Sequence, residues 1–148
     1  MEGILKIKRL RDNARIPARA SAGAAACDLR AAIDEDIVIA PGQRAGIPTG
    51  IAIELENKSL VALVFSRSGH GINSGVSLTN SVGVIDSDYR GEICVGLINH
   101  GTQPFTVSDG DRIAQLVVTY AVPVDIVECE ELSDTERGAG GFGSTGTK

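Results

Sequence analysis

The sequence gathers polar groups into one short stretch, Gly83 to Glu92, that lies between two aliphatic, strand-like runs. Asp86 and Asp88 contribute carboxylates and Tyr89 an aromatic ring, in a chain whose aromatic content is only 3%. A carboxylate within hydrogen-bond reach of a water molecule can orient that water and accept its proton, which is general-base chemistry. Asp, Ser and Gly are also ordinary turn residues. This stretch alone is therefore explained equally well by a catalytic centre and by a polar turn.

The elements on either side must hold this stretch in place. A hairpin-like turn would keep its polar groups at the edge of a sheet rather than in the core. Similar clusters stand at other predicted strand ends, and they are Asp28, Arg67-Ser68-Gly69, Asn80, Gly110 to Gln115 and Arg137 to Gly146. Their recurrence favours a functional interpretation over a solvated turn.

Short apolar segments separated by turn signals about every ten residues predict an all-β sandwich or barrel. The predicted strands are Ile4 to Leu10, one starting at Cys27, Ile37 to Ile39, Arg44 to Pro48, Ile51 to Glu56, Leu60 to Phe65, Val76 to Leu78, Val82 to Ile85, Ile93 to Ile98, Phe105 to Val107, and part of the apolar run Arg112 to Val127. Asn57-Lys58 is expected to form a hairpin turn. At most one short helix is expected, near Ser68 to Ser74.

The chain of 148 residues has the length of a single domain. We expect residues 1–132 to form a β core and residues 133–148 a flexible C-terminal arm. The arm contains five glycines and one large apolar side chain, Phe142, so it cannot bury a core of its own.

Charge and composition exclude several classes of protein. A net charge of -5 argues against direct nucleic-acid binding. No apolar run is long enough to span a bilayer, and the N-terminal residues do not resemble a signal peptide, so a cytoplasmic location is expected, with a nuclear or viral setting left open. The three cysteines are widely spaced and suggest neither zinc nor disulfides, and Cys94 is expected to be a small buried hydrophobe. His70 and His100 are isolated and do not indicate a metal site.

Taken in order, the polar clusters closely resemble the five motifs of the trimeric dUTP diphosphatases, the dUTPases. Ala22-Gly23 with Asp28-Leu29 resembles the first motif, Arg67-Ser68-Gly69 the second, Gly83 to Tyr89 the third, Gly110 to Gln115 the fourth, and the Gly-rich tail the fifth. The likeness covers nearly the whole chain and implies a jelly roll or distorted β-barrel. The second motif departs from the family pattern, because Ser66 replaces a usual proline and His70 a usual leucine.

The resemblance implies hydrolysis of dUTP to dUMP and diphosphate, with Mg²⁺ as cofactor and water attacking the α-phosphorus. This would limit uracil incorporation into DNA and supply dUMP for dTMP synthesis. Asp86 matches the residue that activates the water, and Tyr89 matches a ring under the deoxyribose that excludes a 2′-OH. Asp28 and Gln115 match residues that hold the metal through its bound waters.

The resemblance also implies a set of substrate-binding residues and an oligomer. The set is Arg67, Ser68, Gly69, Asn80, Gly83, Val84, Ile85, Tyr89, Gln115, Arg137, Phe142, Gly143, Ser144 and Thr145. Arg67 to Gly69 would grip the phosphates, and Asn80 would read uracil together with hairpin backbone. In the family the tail closes over a neighbour's site, which implies a homotrimer with shared active sites.

Three other interpretations of the sequence are open. A dCTP deaminase, possibly bifunctional, has the same fold but usually lacks a Phe-Gly-Ser-Thr tail, which is present here from Phe142. A non-catalytic nucleotide sensor would have no need to keep Asp86, Arg137 and Ser144. A structural jelly-roll protein, as in capsids, would leave all the polar motifs without a role.

Overall fold

The computed structural model describes residues 4–141, and within this range the chain is built from short strands and one helix. The strands are β1 (Leu5–Arg9), β2 (Ala18–Arg19), β3 (Cys27–Arg30), β4 (Ile37–Ile39), β5 (Arg44–Pro48), β6 (Ile51–Leu55), β7 (Leu60–Phe65), β8 (Val76–Leu78), β9 (Val82–Ile85), β10 (Cys94–Asn99), β11 (Phe105–Val107) and β12 (Arg112–Tyr120), with helix α1 at Ser68–Ser74 between β7 and β8. The predicted strands and the predicted short helix are confirmed, with most boundaries within one or two residues. The apolar run Arg112 to Val127 is a strand only as far as Tyr120, and the two-residue strand β2 was not predicted.

The strands form four antiparallel groups of a jelly-roll-like β fold. The largest sheet has the order β2-β3-β12-β7-β9, and a second has the order β5-β10-β8. Two-stranded sheets pair β1 with β6 and β11 with β4. Strand β9 is therefore an edge strand, as expected for the strand that leads into the polar stretch. No helix within residues 4–141 is long and apolar enough to cross a membrane.

Aliphatic side chains from all of the larger strands fill the core. Leu29 of β3, Ile47 of β5 and Ile113 of β12 are almost completely buried. Two polar side chains, Thr49 and Asn99, are as deeply buried, and both are hydrogen-bonded. Asn99 donates to the carbonyls of Ile39 and Gln103, both at 2.8 Å. Burial of Ile, Val and Leu is thus the main stabilising term, as the scarcity of aromatic residues predicts.

The hairpins expected at Asn57-Lys58 and in the polar stretch Gly83 to Glu92 are wrong, although the chain turns at both places. Strand β6 pairs with β1, whereas β7 pairs with β12 and β9, so Asn57-Lys58 joins two different sheets. Likewise β9 pairs with β7, while β10 pairs with β5 and β8. Each turn therefore crosses between layers, because pairing is decided by partners distant in sequence and not by the turn itself.

Helix α1 forms in a segment with little intrinsic helical tendency. Its sequence contains two glycines and two serines, and none of its residues is buried. It ends at Gly75, which has a φ of 68°, a left-handed conformation that favours glycine. A Cβ there would also lie 2.7 Å from the backbone N of Gly101. The helix is therefore held by its ends and by contacts that its side chains make to other elements.

The last strand ends at Tyr120, and the following residues to 141 contain neither helix nor strand. Between residues 121 and 139 every residue is exposed, including Val122, Val124 and Ile126, the last at 96%. This segment carries apolar side chains but packs none of them against the core of its own chain.

Candidate active site

A cavity of about 280 Å³ opens between β9, β10 and the turn that joins them. It is lined by Val64, Leu78, Asn80, Gly83, Val84, Ile85, Asp86, Tyr89, Glu92, Ile93, Cys94, Val95 and Gly96. Aliphatic side chains and backbone make up its walls, and a few polar groups stand around them, which is the usual make-up of a small-ligand site. Six of the residues predicted from the third-motif region lie together here.

One wall of the cavity is the tight connection between β8 and β9. Ser81 has a φ of 63°, which is uncommon for a residue with a side chain, and the N–H of Val82 donates to the carbonyl of Asn80 at 2.7 Å. Gly83 lies so close to β7 that a Cβ there would stand 3.1 Å from the Cβ of Val64. A positive φ at Ser81 and the absence of a side chain at Gly83 are typical of backbone that a ligand approaches closely.

The turn after β9 presents Asp86 and Tyr89 at the mouth of the cavity. The N–H of Tyr89 donates to the carbonyl of Asp86 at 3.1 Å and closes the turn. The Tyr89 hydroxyl donates to the carbonyl of Glu92 at 3.1 Å, which holds the half-exposed ring over Gly91. Arg90 donates to the carbonyls of Ser87 and Tyr89 and so reinforces the same turn. The Asp86 carboxylate is exposed and free to meet a water molecule.

Glu92 connects the cavity to two other segments. Arg11 donates to both of its carboxylate oxygens, from Nε at 2.9 Å and from Nη2 at 3.3 Å. The N–H of Gly50 donates to Oε1 at 2.8 Å. Hydrogen bonding from Arg11 lowers the pKa of the Glu92 carboxyl against the opposing effect of partial burial, and the Gly50 N–H lowers it further. Glu92 is therefore held as an anion that fixes the base of the Tyr89 turn.

A second group of predicted residues lies in one row across the five-stranded sheet. Asp28 of β3 is paired with Gln115 of β12, and Gln115 is paired with Phe65 of β7, which in turn faces Val82. Residues directly opposite each other project from the same face of a sheet. Asp28 and Gln115 thus lie side by side, as the predicted shared role requires.

Two arginines converge on Asp28, which is only 8% exposed. Arg67 Nε lies 3.4 Å from Oδ1, and Arg112 Nη1 donates to Oδ2 at 3.3 Å. The geometry of the first contact leaves both Oδ1 and Nε without a hydrogen-bond partner within the described part of the chain. Arg112 therefore pairs with Asp28 across the sheet.

Arg67 also precedes the first turn of α1, where Ser68 and Gly69 are exposed. The earliest N–H groups of a helix have no partner inside the helix, and the first intrahelical bond here runs from Gly71 to the carbonyl of Arg67. The N–H groups of Ser68 and Gly69 are therefore available to a ligand. A guanidinium beside free N–H groups is a suitable arrangement for phosphate oxygens.

Within one chain, the cavity residues around Asp86 are distant in space from the group around Asp28. Phe65 marks the row of Asp28, whereas Ile85 pairs with Ala62, three residues away along β7. With ordinary strand dimensions, Ile85 lies roughly 10 Å along the strands and roughly 14 Å across them from Asp28.

Arg137 joins neither group: its Nε donates to the carbonyl of Gly140 at 3.0 Å, within a local turn. Phe142, Gly143, Ser144 and Thr145 lie outside the described residues.

Comparison with known proteins decides the family. The family model dUTPase matches residues 12–146. A curated relative from Desulfitobacterium hafniense, named deoxyuridine 5'-triphosphate nucleotidohydrolase, is 53% identical over 89% of this chain and 87% of its own. A relative of the same name from Hahella chejuensis is 48% identical over 95% of this chain and 93% of its own.

The chain belongs to the dUTPase family. The resemblance seen in the motifs is thereby confirmed, and with it the expectation of an enzyme. Among solved structures, a mutant dUTPase of Staphylococcus bacteriophage 80alpha with dUpNHpp superimposes with a TM-score of 0.87 at 27% identity, covering 97% of this chain and 98% of that one. The fold class expected from the sequence is confirmed by the same comparison.

For a dUTPase family member, a Mg²⁺ ion is implied, and the residues can be tested for it. No group of three or more His, Cys, Asp or Glu side chains that could hold a metal is found among residues 4–141. Asp28 lies beside Gln115, and its buried Oδ1 accepts no hydrogen bond within the described residues, so it instead suits a cation that keeps its own waters. The residues therefore fit Mg²⁺ held through water and substrate oxygens, not an all-protein metal cage.

Two features of this dUTPase site differ from or go beyond the expectations. Cys94 was expected to be buried, and this is wrong: its side chain is exposed and lines the cavity, while Val95 and Leu97 of the same strand face the core. The sequence of an apolar strand does not show which of its two faces packs against the core. Glu92 was given no role, although its place at the end of the polar stretch was a usable signal.

Proposed function

We propose that this protein hydrolyses dUTP to dUMP and diphosphate. The proposal is carried by one observation: the exposed Asp86 carboxylate stands at the rim of a cavity lined by residues of β9 and β10 and by aliphatic side chains, with Tyr89 beside it. The cavity takes uracil, and the Asn80 amide supplies a donor and an acceptor next to the backbone groups of β9. The Tyr89 ring lies against the deoxyribose and leaves no space for a 2′-OH.

Asp86 orients a water molecule and accepts its proton as the water oxygen bonds to the α-phosphorus. The bond from the α-phosphorus to the bridging oxygen breaks, and that oxygen leaves with the diphosphate. Arg67, with the N–H groups of Ser68 and Gly69, binds phosphate oxygens and holds the chain in line for attack. Phosphoryl transfer depends mainly on such positioning and charge stabilisation.

Asp28 and Gln115 would hold Mg²⁺ through its bound waters, beside the phosphates. When bound, Mg²⁺ supplies positive charge that neutralises the phosphate oxygens. Asp28 is suited to this because Arg112 fixes its Oδ2, while its Oδ1 accepts no hydrogen bond within the described residues and has only Arg67 Nε nearby, at 3.4 Å.

The active unit is a homotrimer in which each site takes groups from several subunits. The separation of Asp86 from Asp28 and Arg67 on one chain supports this, because a single triphosphate needs all of them at once. The exposed apolar side chains Val122, Val124 and Ile126 support it too, since a stretch of this kind is usually covered by a partner. The tail, with Arg137 and residues 142–145, would close over a neighbouring subunit's site. Cytoplasmic location and the supply of dUMP for dTMP synthesis remain predictions.

The decisive experiment supplies each deoxynucleoside triphosphate, and UTP, with Mg²⁺ and separates the products. We expect dUMP and diphosphate from dUTP alone. Release of ammonia from dCTP would instead indicate a deaminase, and binding of dUTP without turnover would indicate a sensor.

A further inference from the structure

The contacts of His70 lead to one inference that deepens the proposed function and rests on it. His70 is the third residue of α1 and stands where the family motif usually has leucine. Its Nε2 lies 2.7 Å from the carbonyl oxygen of Arg112. A carbonyl can only accept, so Nε2 carries the proton and donates. A leucine at this position could not make this bond.

The acceptor lies at an irregular point of the sheet. The pairing of β12 with β3 shifts register between Arg112 and Ala114, and the pairing of β12 with β7 begins only at Gln115. The Arg112 carbonyl therefore lies beyond the β7–β12 ladder, on the side where α1 begins. His70 and Arg67 both donate to it, Arg67 from Nη1 at 3.4 Å.

The His70 ring is held on a second side by Phe105. The ring centroids are 5.2 Å apart and the planes meet at 72°, an edge-to-face arrangement. Phe105 itself packs against the core. The imidazole is thus fixed between the core and the start of β12, and Arg67 Nη1 lies 3.5 Å from its Nε2.

We propose that His70 is a positioning residue for the phosphate-binding turn Arg67 to Gly69. By joining the first turn of α1 to the Arg112 carbonyl, it fixes the turn relative to Asp28, to which the Arg112 side chain is bound. The helix has no buried side chain and no side-chain cap, so the His70 contacts replace the anchoring that burial would give. His70 does not touch the cavity that takes the base and sugar.

The test compares H70L and H70Q with the wild type. H70L should raise the KM for dUTP about 5-fold to 10-fold, the effect of one lost hydrogen bond, with kcat changed less. The inhibition constant of deoxyuridine, which has no phosphate, should stay unchanged. H70Q keeps an N–H donor of similar reach and should restore most of the KM. H100Q is the matched control, since His100 is exposed and no hydrogen bond of its side chain is found among residues 4–141.

Equal KM values for wild type and H70L would overturn the positioning role while leaving the proposed function intact. An equal loss of affinity for dUTP and deoxyuridine would also overturn it, because that pattern indicates general damage to the fold. Absence of dUTP turnover by the wild type would instead reject the proposed function itself.

Discussion

At the scale of single residues, the proposed hydrolysis depends on Asp86. Its carboxylate is exposed at the cavity mouth, while its backbone carbonyl is fixed by the N–H of Tyr89. Asp88 is a close comparison, since it lies in the same turn but does not line the cavity. Both residues are exposed, and they differ in that only Asp86 lines the cavity.

Asp86→Asn should bind dUTP and hydrolyse it roughly 10²–10⁴-fold more slowly, because the amide keeps the shape but cannot accept the proton. Steady-state turnover with binding measured by calorimetry checks this. Asp88→Asn is the control and should retain most of its turnover. Activity of Asp86→Asn close to that of the wild type would remove Asp86 from its role.

In the proposed function Tyr89 acts through its ring, whose position is set by the hydrogen bond from its hydroxyl to the carbonyl of Glu92. Tyr89→Ala removes the wall against a 2′-OH, so the ratio of kcat/KM for dUTP over UTP should fall. Tyr89→Phe keeps the wall and should keep most of the ratio. If both variants discriminate as the wild type does, sugar selection lies in the backbone and not in this ring.

At the scale of elements, the base of the site is held by segments far apart in sequence. Glu92 follows the Tyr89 turn, Arg11 follows β1, and Gly50 lies between β5 and β6. These hydrogen bonds join the turn after β9 to the segment after β1 and to the turn between β5 and β6. Thr49 strengthens the same junction, because its buried hydroxyl donates to the carbonyl of Ile93 at 2.6 Å.

The lowered pKa of Glu92 makes this junction sensitive to acid. The unfolded chain binds a proton near the ordinary value of 4.5, whereas the native carboxyl binds it only at lower pH. The stability from Glu92 is therefore fully present above pH 4.5 and is lost as the pH falls through the native pKa. Glu92→Gln should lower the free energy of unfolding at pH 7 and flatten its decline below pH 4.5.

Urea unfolding at a series of pH values measures this effect. Glu54→Gln is the control, because the Glu54 carboxylate pairs with Lys6 on the exposed surface, where ion pairs contribute little. A Glu92→Gln variant as stable as the wild type at pH 7 would show that the junction is held without the charge.

At the scale of the whole molecule, we propose that the site is completed between subunits. On one chain, Asp86 and Arg67 belong to separate groups, and residues 121–139 leave their apolar side chains uncovered. A closed cyclic oligomer satisfies both conditions with one type of interface.

Two inactive variants should therefore complement each other. Asp86→Asn and Arg67→Ala should each be nearly inactive alone. When they are mixed, unfolded and refolded together, about a quarter of the sites should receive both intact groups if these come from different subunits. Turnover of the mixture should rise accordingly, as measured with dUTP. A mixture no more active than its components would show that one subunit supplies both groups.

The sequence alone determined the kinds of chemistry and the positions of the strands. Asp86, Arg67, Asp28 and the Gly-rich tail are recognisable because residue type and order along the chain carry the family motifs. Strands such as β5 and β7 follow from local runs of apolar residues, which need no knowledge of their partners.

Only the tertiary structure decided which strands pair and which side chains meet. The turns at Asn57 and Asp86 looked like hairpins but join different sheets, since hydrogen-bond partners are chosen among strands distant in sequence. For the same reason the exposed face of Cys94, the convergence of two arginines on Asp28 and the contact of His70 with the Arg112 carbonyl could not be predicted. Each depends on the register of a long-range pairing, in which a shift of one residue turns every side chain to the opposite face.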